Sequence, residues 1–227
     1  MSRSCALDQD SVKCWPASAY NLPDLKEPKQ LSGNCALDSE GVKCWSYDPA
    51  INNVPSLDKP SQISVGNFAC AIDQEGLKCW GGDPGYPEQT QLPPLNNPHQ
   101  VAVGTLNGCA IDDDGVKCWG DSDSGIKNVP PLDHPTQVSV GSCNACAVDN
   151  NGVQCWGTND SNGNNVPPLN HPFQVVAGCS QSCAVDLDGV KCWGAAGKIP
   201  SLDHPTFVSL DAETFDCAVD SNGVTCW

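Results

Sequence analysis

A chain of 227 residues, 39% apolar, with seven Trp beside only four Phe and three Tyr, holds one large β domain or two smaller ones. Eleven basic against twenty-seven acidic residues give a net charge of −16, which excludes a general grip on nucleic acid, because that rests on Lys and Arg displacing counterions from phosphate. Nothing approaches the roughly 18 consecutive apolar residues of a membrane span, and Met1-Ser2-Arg3-Ser4 runs into Cys5 with no signal peptide. Sixteen Cys nevertheless speak for an oxidising compartment. The expectation is a secreted or cell-surface protein, this chain being a piece of a longer precursor.

Taken in chain order, one phrase returns seven times. Cys5-Ala-Leu-Asp-Gln-Asp-Ser-Val-Lys-Cys14-Trp15 recurs over 35–45, 70–80, 109–119, 146–156, 183–193 and 217–227, its first cysteines 30, 35, 39, 37, 37 and 34 residues apart. Between them runs a second phrase, Val129-Pro-Pro-Leu-Asp-His-Pro135 and then Gln137-Val-Ser-Val-Gly141. It is echoed over 54–66, 92–104, 166–178 and 199–210. Gln-Val-Ser-Val-Gly is a short β-branched run bounded by Pro and Gly, which predicts a strand. Cys-Ala-Val-Asp and Val-Gln-Cys-Trp predict two more around the turn 149–152. Gly closes that turn in six units, at 41, 76, 115, 152, 189 and 223, with Ser11 the exception. The end of such a loop takes a left-handed residue, which Gly supplies without steric cost.

This register sets Val148 opposite Val153 and Cys146 opposite Cys155, all on one face, because residues two apart share a face of a strand. Directly opposed cysteines lie about 4.5–5.5 Å apart at Cα, within disulfide reach. The predicted bridges are Cys5–Cys14, Cys35–Cys44, Cys70–Cys79, Cys109–Cys118, Cys146–Cys155, Cys183–Cys192 and Cys217–Cys226. Cys143 and Cys179 stand outside the pattern at nearly equivalent loop positions. They predict an inter-blade disulfide, the rival being a zinc or redox cluster with Cys146 and Cys183.

Three short strands cannot bury both their faces, so neighbouring units must stack. Seven radially stacked sheets make a seven-bladed β-propeller with mainly three-stranded blades, residues 1–227 forming one all-β domain. Each Trp, opposite the cysteines, is expected to wedge between blades. Unit one has no preceding Val-x-x-Gly strand and unit seven only Val208-Ser-Leu210. The ring is therefore expected to be incomplete at blade 1.

The phrase Cys-Ala-Val-Asp-x-x-Gly-Val-x-Cys-Trp-Gly, preceded by Pro-x-x-Val-x-x-Gly, resembles the regulator-of-chromosome-condensation repeat across 5–227. Its period of about 37 residues is most similar to short-repeat secreted bacterial members, such as the propeller-type β-lactamase inhibitory proteins. That resemblance implies a three-stranded-blade propeller, a fold that hosts nucleotide exchange, photoreception and enzyme inhibition. It also implies contact aromatics in the loop between the first two strands of a blade. The matching positions here read Asn67-Phe68, Thr105-Leu106, Ser142-Cys143 and Cys179-Ser180. Only Phe68 fits, which weakens the case for β-lactamase as target. Guanine-nucleotide exchange is disfavoured too, since no unit has room for a protruding β-wedge.

Function is expected in loops that vary on a rigid ring. Tyr20, Tyr47 and Tyr86 all fall in the variable segment after a Trp, and Tyr is a favoured interface anchor. With Phe68 they are the candidate binding residues for a protein partner. A carbohydrate ligand, read on Trp-lined pockets, is the alternative. The Asp-x-x-Gly turns read first as hairpin chemistry and second as fragments of calcium loops, at Asp112 and Asp114 and at Asp121 and Asp123. His134, His171 and His204 recur in a pre-strand turn, as a structural repeat requires. No nucleophile elbow, phosphate loop or His-Glu-x-x-His occurs, so neither enzyme activity nor a cofactor is expected.

Overall fold

The computed structural model describes residues 4–8, 11–15, 22–159, 162–210 and 216–227. Blade 1 is a pair, β1 (Ser4–Asp8) and β2 (Ser11–Trp15). Blade 2 holds β3 (Gln30–Ser32), β4 (Cys35–Asp38) and β5 (Gly41–Cys44), and blade 3 holds β6 (Gln62–Val65), β7 (Phe68–Asp73) and β8 (Gly76–Gly81). Blade 4 comprises β9 (Gln100–Val103), β10 (Asn107–Asp112) and β11 (Gly115–Gly120). Blade 5 comprises β12 (Gln137–Val140), β13 (Asn144–Asp149) and β14 (Gly152–Gly157). Blade 6 has β15 (Gln174–Ala177), β16 (Gln181–Asp186) and β17 (Gly189–Gly194); blade 7 has β18 (Phe207–Ser209), β19 (Cys217–Asp220) and β20 (Gly223–Cys226). Every pairing is antiparallel, in chain order within its sheet. Among the described residues blade 1 has two strands, as its missing phrase predicts.

The hairpin register is the one the phrase dictates: Cys146 opposes Cys155, Val148 opposes Val153 and Asp149 opposes Gly152. The seven hairpin bridges have Cα separations of 4.0 or 4.1 Å, shorter than the approximately 4.5 Å of an ordinary non-hydrogen-bonded pair. Gly41, Gly76, Gly115, Gly152, Gly189 and Gly223 close their turns at φ between 116 and 128°, a region that a Cβ penalises.

Each blade has two unlike faces. In blade 5, Cys146, Val148, Val153 and Cys155 share one face with Gln137 and Ser139, while Ala145, Ala147, Trp156, Val138 and Val140 share the other. The Ala/Trp face packs on the cysteine face of the blade before it: Ala145, Ala147, Val138, Val140 and Trp156 form one buried cluster with Cys109 and Ile111. The same pairing recurs between blades 2 and 3, 3 and 4, and 5 and 6. The core is thus a series of slices between sheets. The first strands lie side by side from blade to blade and form the inner wall.

An amide ladder ties that wall together. In blades 2 to 6 the Gln opening the first strand holds both main-chain groups of a residue in the next blade: Gln30 on Ile63, Gln62 on Val101, Gln100 on Val138, Gln137 on Val175 and Gln174 on Val208. Ser32, Ser64 and Ser139 add hydroxyls that accept from Val65, Val103 and Ala177 N–H. Exposed main-chain groups on an inner edge are satisfied by side chains of the preceding blade, which blunts an otherwise open strand edge.

Candidate binding face

Strand direction divides the molecule into two ends. Hairpin turns and the Leu-Asp-His-Pro turns lie at one end, since Asp133 N–H donates to Asp149 Oδ2 at 2.9 Å. The loops between first and second strands and the segments that follow each Trp lie at the other.

At the turn end, carboxylates are internal fasteners. Asp112 is buried, accepts from Asn96 and Asp114 N–H at 2.8 and 2.9 Å, and pairs with Lys117 Nζ at 2.8 Å. Burial pulls its pKa upward, but Lys117 and the two N–H groups outweigh it and hold the carboxyl below its ordinary value. Asp114 pairs with the same lysine at 3.0 Å. Asp38, Asp73 and Asp186 repeat the arrangement with Lys43, Lys78 and Lys191. Asp121 and Asp123 sit at the opposite end, where Asp121 Oδ1 accepts from Asp123 N–H at 3.2 Å. The two pairs named as calcium candidates are therefore not brought together. Among the described residues no group of three or more His, Cys, Asp or Glu is arranged to hold a metal ion.

His134, His171 and His204 occupy the left-handed region at φ 50–52°, as do Glu27, Lys59 and Asn97 at the same place in other turns. The histidines are bent by the turn, each with Nδ1 hydrogen-bonded to the side chain before it.

At the loop end the Trp side chains act as latches. Trp80, Trp119, Trp156 and Trp193 are buried between blades, and each Nε1–H donates to a carbonyl in the loop of the preceding blade: Ile51, Gln89, Ile126 and Gly163, at 2.7–2.9 Å. Two of these loops coil into short helices that the strand pattern did not predict, α1 (Pro49–Asn52) and a 3-10 turn over Pro87–Thr90. Asp48 caps α1 by accepting from Ala50 N–H. Tyr47 and Tyr86 stand at the entries to these coils, 75% and 42% exposed, on consecutive blades. Tyr20 lies outside the described residues.

Phe68 requires a correction. It is fully buried and packs with Cys70, Ile72, Val101, Val103 and Trp119 between blades 3 and 4. It therefore offers no surface to a partner. Its loop is a tight turn in which Gly66 N–H bonds back to Phe68 carbonyl at 2.9 Å, so the ring enters the sheet rather than the rim.

The first loops enclose an axial cup of about 310 Å³, lined among others by Asn67, Thr105, Ser142, Cys179, Gln181 and Leu210. Among the described residues no lining residue is charged, in a chain of net charge −16. Thr105 and Ser142 hydroxyls bond across adjacent blades at 2.9 Å. Beside them the disulfide Cys143–Cys179 joins blade 5 to blade 6. No cysteine is left for a zinc or redox cluster, since all sixteen are bridged. Trp45, Trp80, Trp119, Trp156 and Trp193, being buried, do not form sugar pockets.

No protein-family model and no curated protein matches the chain. Solved structures do. The ectodomain of the Physcomitrella patens receptor kinase CR4 superposes with TM-score 0.82 at 22% identity, covering 99% of this chain and 70% of that one. The CRINKLY WD40 ectodomain of the Arabidopsis thaliana receptor kinase ACR4 gives 0.77 at 20% identity, covering 99% and 92%. Prp20p of Saccharomyces cerevisiae, described with its binding to Gsp1p and histones, gives 0.67 at 15% identity, covering 85% and 69%. These likenesses show a propeller fold of the chromosome-condensation-regulator type. No helix is long and apolar enough to cross a membrane among the described residues.

Proposed function

We propose that this chain is a single non-catalytic propeller domain that binds a protein partner outside the cytosol, through its loop end. The observation that carries this reading is the placing of Tyr47 and Tyr86 on consecutive loops, each loop latched by the Trp of the next blade. Rigidly held, exposed aromatics bury large area on binding at little entropic cost, which is what an interface anchor needs. Eight disulfides favour an oxidising milieu. The ectodomain setting of two structural neighbours agrees with that choice. The acidic surface suits a basic partner better than an acidic one.

The uncharged axial cup supports a second reading, a small neutral polyhydroxyl ligand such as a sugar. One experiment separates the two. The immobilised, disulfide-intact protein and its Tyr47→Ser/Tyr86→Ser variant are compared for capture of proteins from extracellular fluid, with a glycan array in parallel. We expect a protein retained by the parent and lost about tenfold by the variant, at unchanged melting temperature. Equal capture by both, or saturable glycan binding alone, would refute the protein-binding reading.

A further inference from the structure

Blade 6 departs from the repeat at two surface positions. Just before the first strand, blades 2 to 5 and 7 place Lys29, Ser61, His99, Thr136 and Thr206, and blade 6 places Phe173. In the hairpin turn the same blades place Ser39, Gln74, Asp113, Asn150 and Ser221, and blade 6 places Leu187. The main chain is alike in all of them. Phe173 N–H donates to the Val185 carbonyl at 3.0 Å and Leu187 N–H to the Asn170 carbonyl at 2.9 Å, as Thr136 and Asn150 donate to Val148 and Asp133. Turn geometry therefore does not select Phe and Leu. Several polar counterparts also close onto their own blade through the side chain: the Ser61, Thr136 and Thr206 hydroxyls donate to the Ile72, Val148 and Val219 carbonyls, and Ser39 Oγ to the Lys26 carbonyl. Phe173 and Leu187 forgo such bonds and join none of the buried clusters among the described residues. They stand 51% and 69% exposed.

A single exposed apolar residue needs no explanation, but two on facing segments of one blade, both against the repeat, are not accounted for by the fold. The register that pairs Gln174 with Val185 sets Phe173 beside Asp186, one residue from Leu187. The surroundings fix the charge of what can cover them. The turns of blades 5 to 7 carry Asp133, Asp149, Asp186, Asp188, Asp203 and Asp220 against one lysine, Lys191, because Gln154 and Thr225 stand where other hairpins have Lys. Lys191 is itself engaged by Asp186 and Asp188, at 2.8 and 3.1 Å. The Asp188 and Asp203 side chains are each about half exposed, and the turn holding Asp203 abuts the blade 6 hairpin, since Pro205 lies 3.9 Å from the Cβ position of Gly189. We propose that the turn end of blade 6 is a docking surface for a basic, amphipathic segment of a partner protein. Apolar side chains of that segment cover Phe173 and Leu187, and its Lys or Arg side chains meet Asp188 and Asp203. Opposite charge around an apolar centre selects such a segment, and a second copy of this chain, at net charge −16, is repelled. The surface lies at the end opposite Tyr47 and Tyr86, so it stands or falls apart from the function proposed above and gives the propeller two working ends.

The test applies the intact, disulfide-bonded chain to an array of short peptides built in random order from Lys, Arg, Leu and Phe. One control array carries Glu and Asp in place of the basic residues, and a second carries Ser and Gly in place of the apolar ones. We expect saturable retention on the first array alone, weakening as salt is raised. Phe173→Thr/Leu187→Ser restores residues that other blades use at these positions, so it should keep the melting temperature and lose about tenfold in affinity for the retained peptides. Tyr47→Ser/Tyr86→Ser should bind them like the parent. Undiminished binding by the Phe173→Thr/Leu187→Ser protein, equal retention on the Ser/Gly array, loss of binding in the Tyr variant, or no retention at all would overturn the proposal. So would a melting temperature lowered by Phe173→Thr/Leu187→Ser, which would assign the pair to packing. A concentration-dependent dimer abolished by the same substitutions would assign it to a second copy and overturn the proposal equally.

Discussion

The Gln100 side chain grips Val138 by both main-chain groups: Oε1 accepts from Val138 N–H at 2.7 Å, and Nε2 donates to the Val138 carbonyl at 3.0 Å. A side-chain amide here does the work of a neighbouring strand, across a boundary that contains no strand pairing. Gln100→Leu removes both bonds and leaves both groups under-satisfied at the inner wall. We expect a loss of about 2–3 kcal/mol in unfolding free energy. Gln100→Glu, which keeps the acceptor but sets a carboxylate oxygen against the Val138 carbonyl, should cost at least as much at neutral pH. Urea unfolding with disulfides intact measures both, and equal stability of parent and Gln100→Leu would remove the ladder from the forces holding the ring.

The turn carboxylates set a pH dependence. Burial raises the pKa of Asp38, Asp73, Asp112 and Asp186, but N–H groups and a lysine outweigh it, so all four are held below the ordinary value. A depressed folded-state pKa contributes stability that is complete above the unfolded value, about 4, and is lost as pH falls through the folded one. The melting temperature should therefore be flat from pH 7 to about 5 and fall steeply below about 4. Asp73→Asn, which keeps the N–H contacts and loses the charge facing Lys78, should flatten part of that fall. A melting temperature that rises below pH 4 would contradict the assignment.

Six pre-proline residues are held at φ near +50° without being Gly. His134 is one of them, and its ring is exposed. His134→Gly relieves the Cβ penalty of a left-handed residue and should stabilise by about 0.5–1 kcal/mol. His134→Val, β-branched at the same φ, should destabilise by about 1–2 kcal/mol. Paired thermal melts read the sign directly.

Cys143–Cys179 closes a longer loop than any hairpin bridge, with a sequence separation of 36 against 9. Replacing both by Ala should cost about 3–4 kcal/mol in the chain-entropy picture. Cys179 is exposed whereas Cys35, Cys70, Cys109, Cys146 and Cys183 are fully buried. Titration with a mild thiol should accordingly open this bridge before theirs, which mass mapping of alkylated peptides would detect.

Much of the fold was legible because one period governs it. Opposed cysteines, the closing Gly and the alternation of Val with Cys all report on neighbours within one hairpin. Sequence separations of nine residues leave little choice of partner. The ladder was not legible for the opposite reason: Gln137 and Val175 are 38 residues apart, and nothing local to Gln137 distinguishes a solvent-facing amide from a bridging one. Its recurrence ahead of Leu, Ile or Val in five units was the available signal. Phe68 misled because its loop position matches a surface aromatic elsewhere, whereas here the chain turns back at Gly66 and carries the ring inward. Tyr47 and Tyr86 lie in exposed segments, and the coils beside them follow from Asp48, Pro49 and Pro87 rather than from any strand pattern.

The Trp latches determine where the chain is free to change length. Each accepting carbonyl lies 29 or 30 residues before its Trp, whichever blade is considered. The same carbonyl lies six, nine, seven and seven residues after the preceding Trp, at Ile51, Gln89, Ile126 and Gly163. Unequal spacing between these hairpins is therefore absorbed almost wholly upstream of the latch, on the rim that carries the tyrosines. Residues can be inserted there without shifting any sheet against its neighbour, so recognition can be rewritten while the barrel of slices behind it keeps its dimensions.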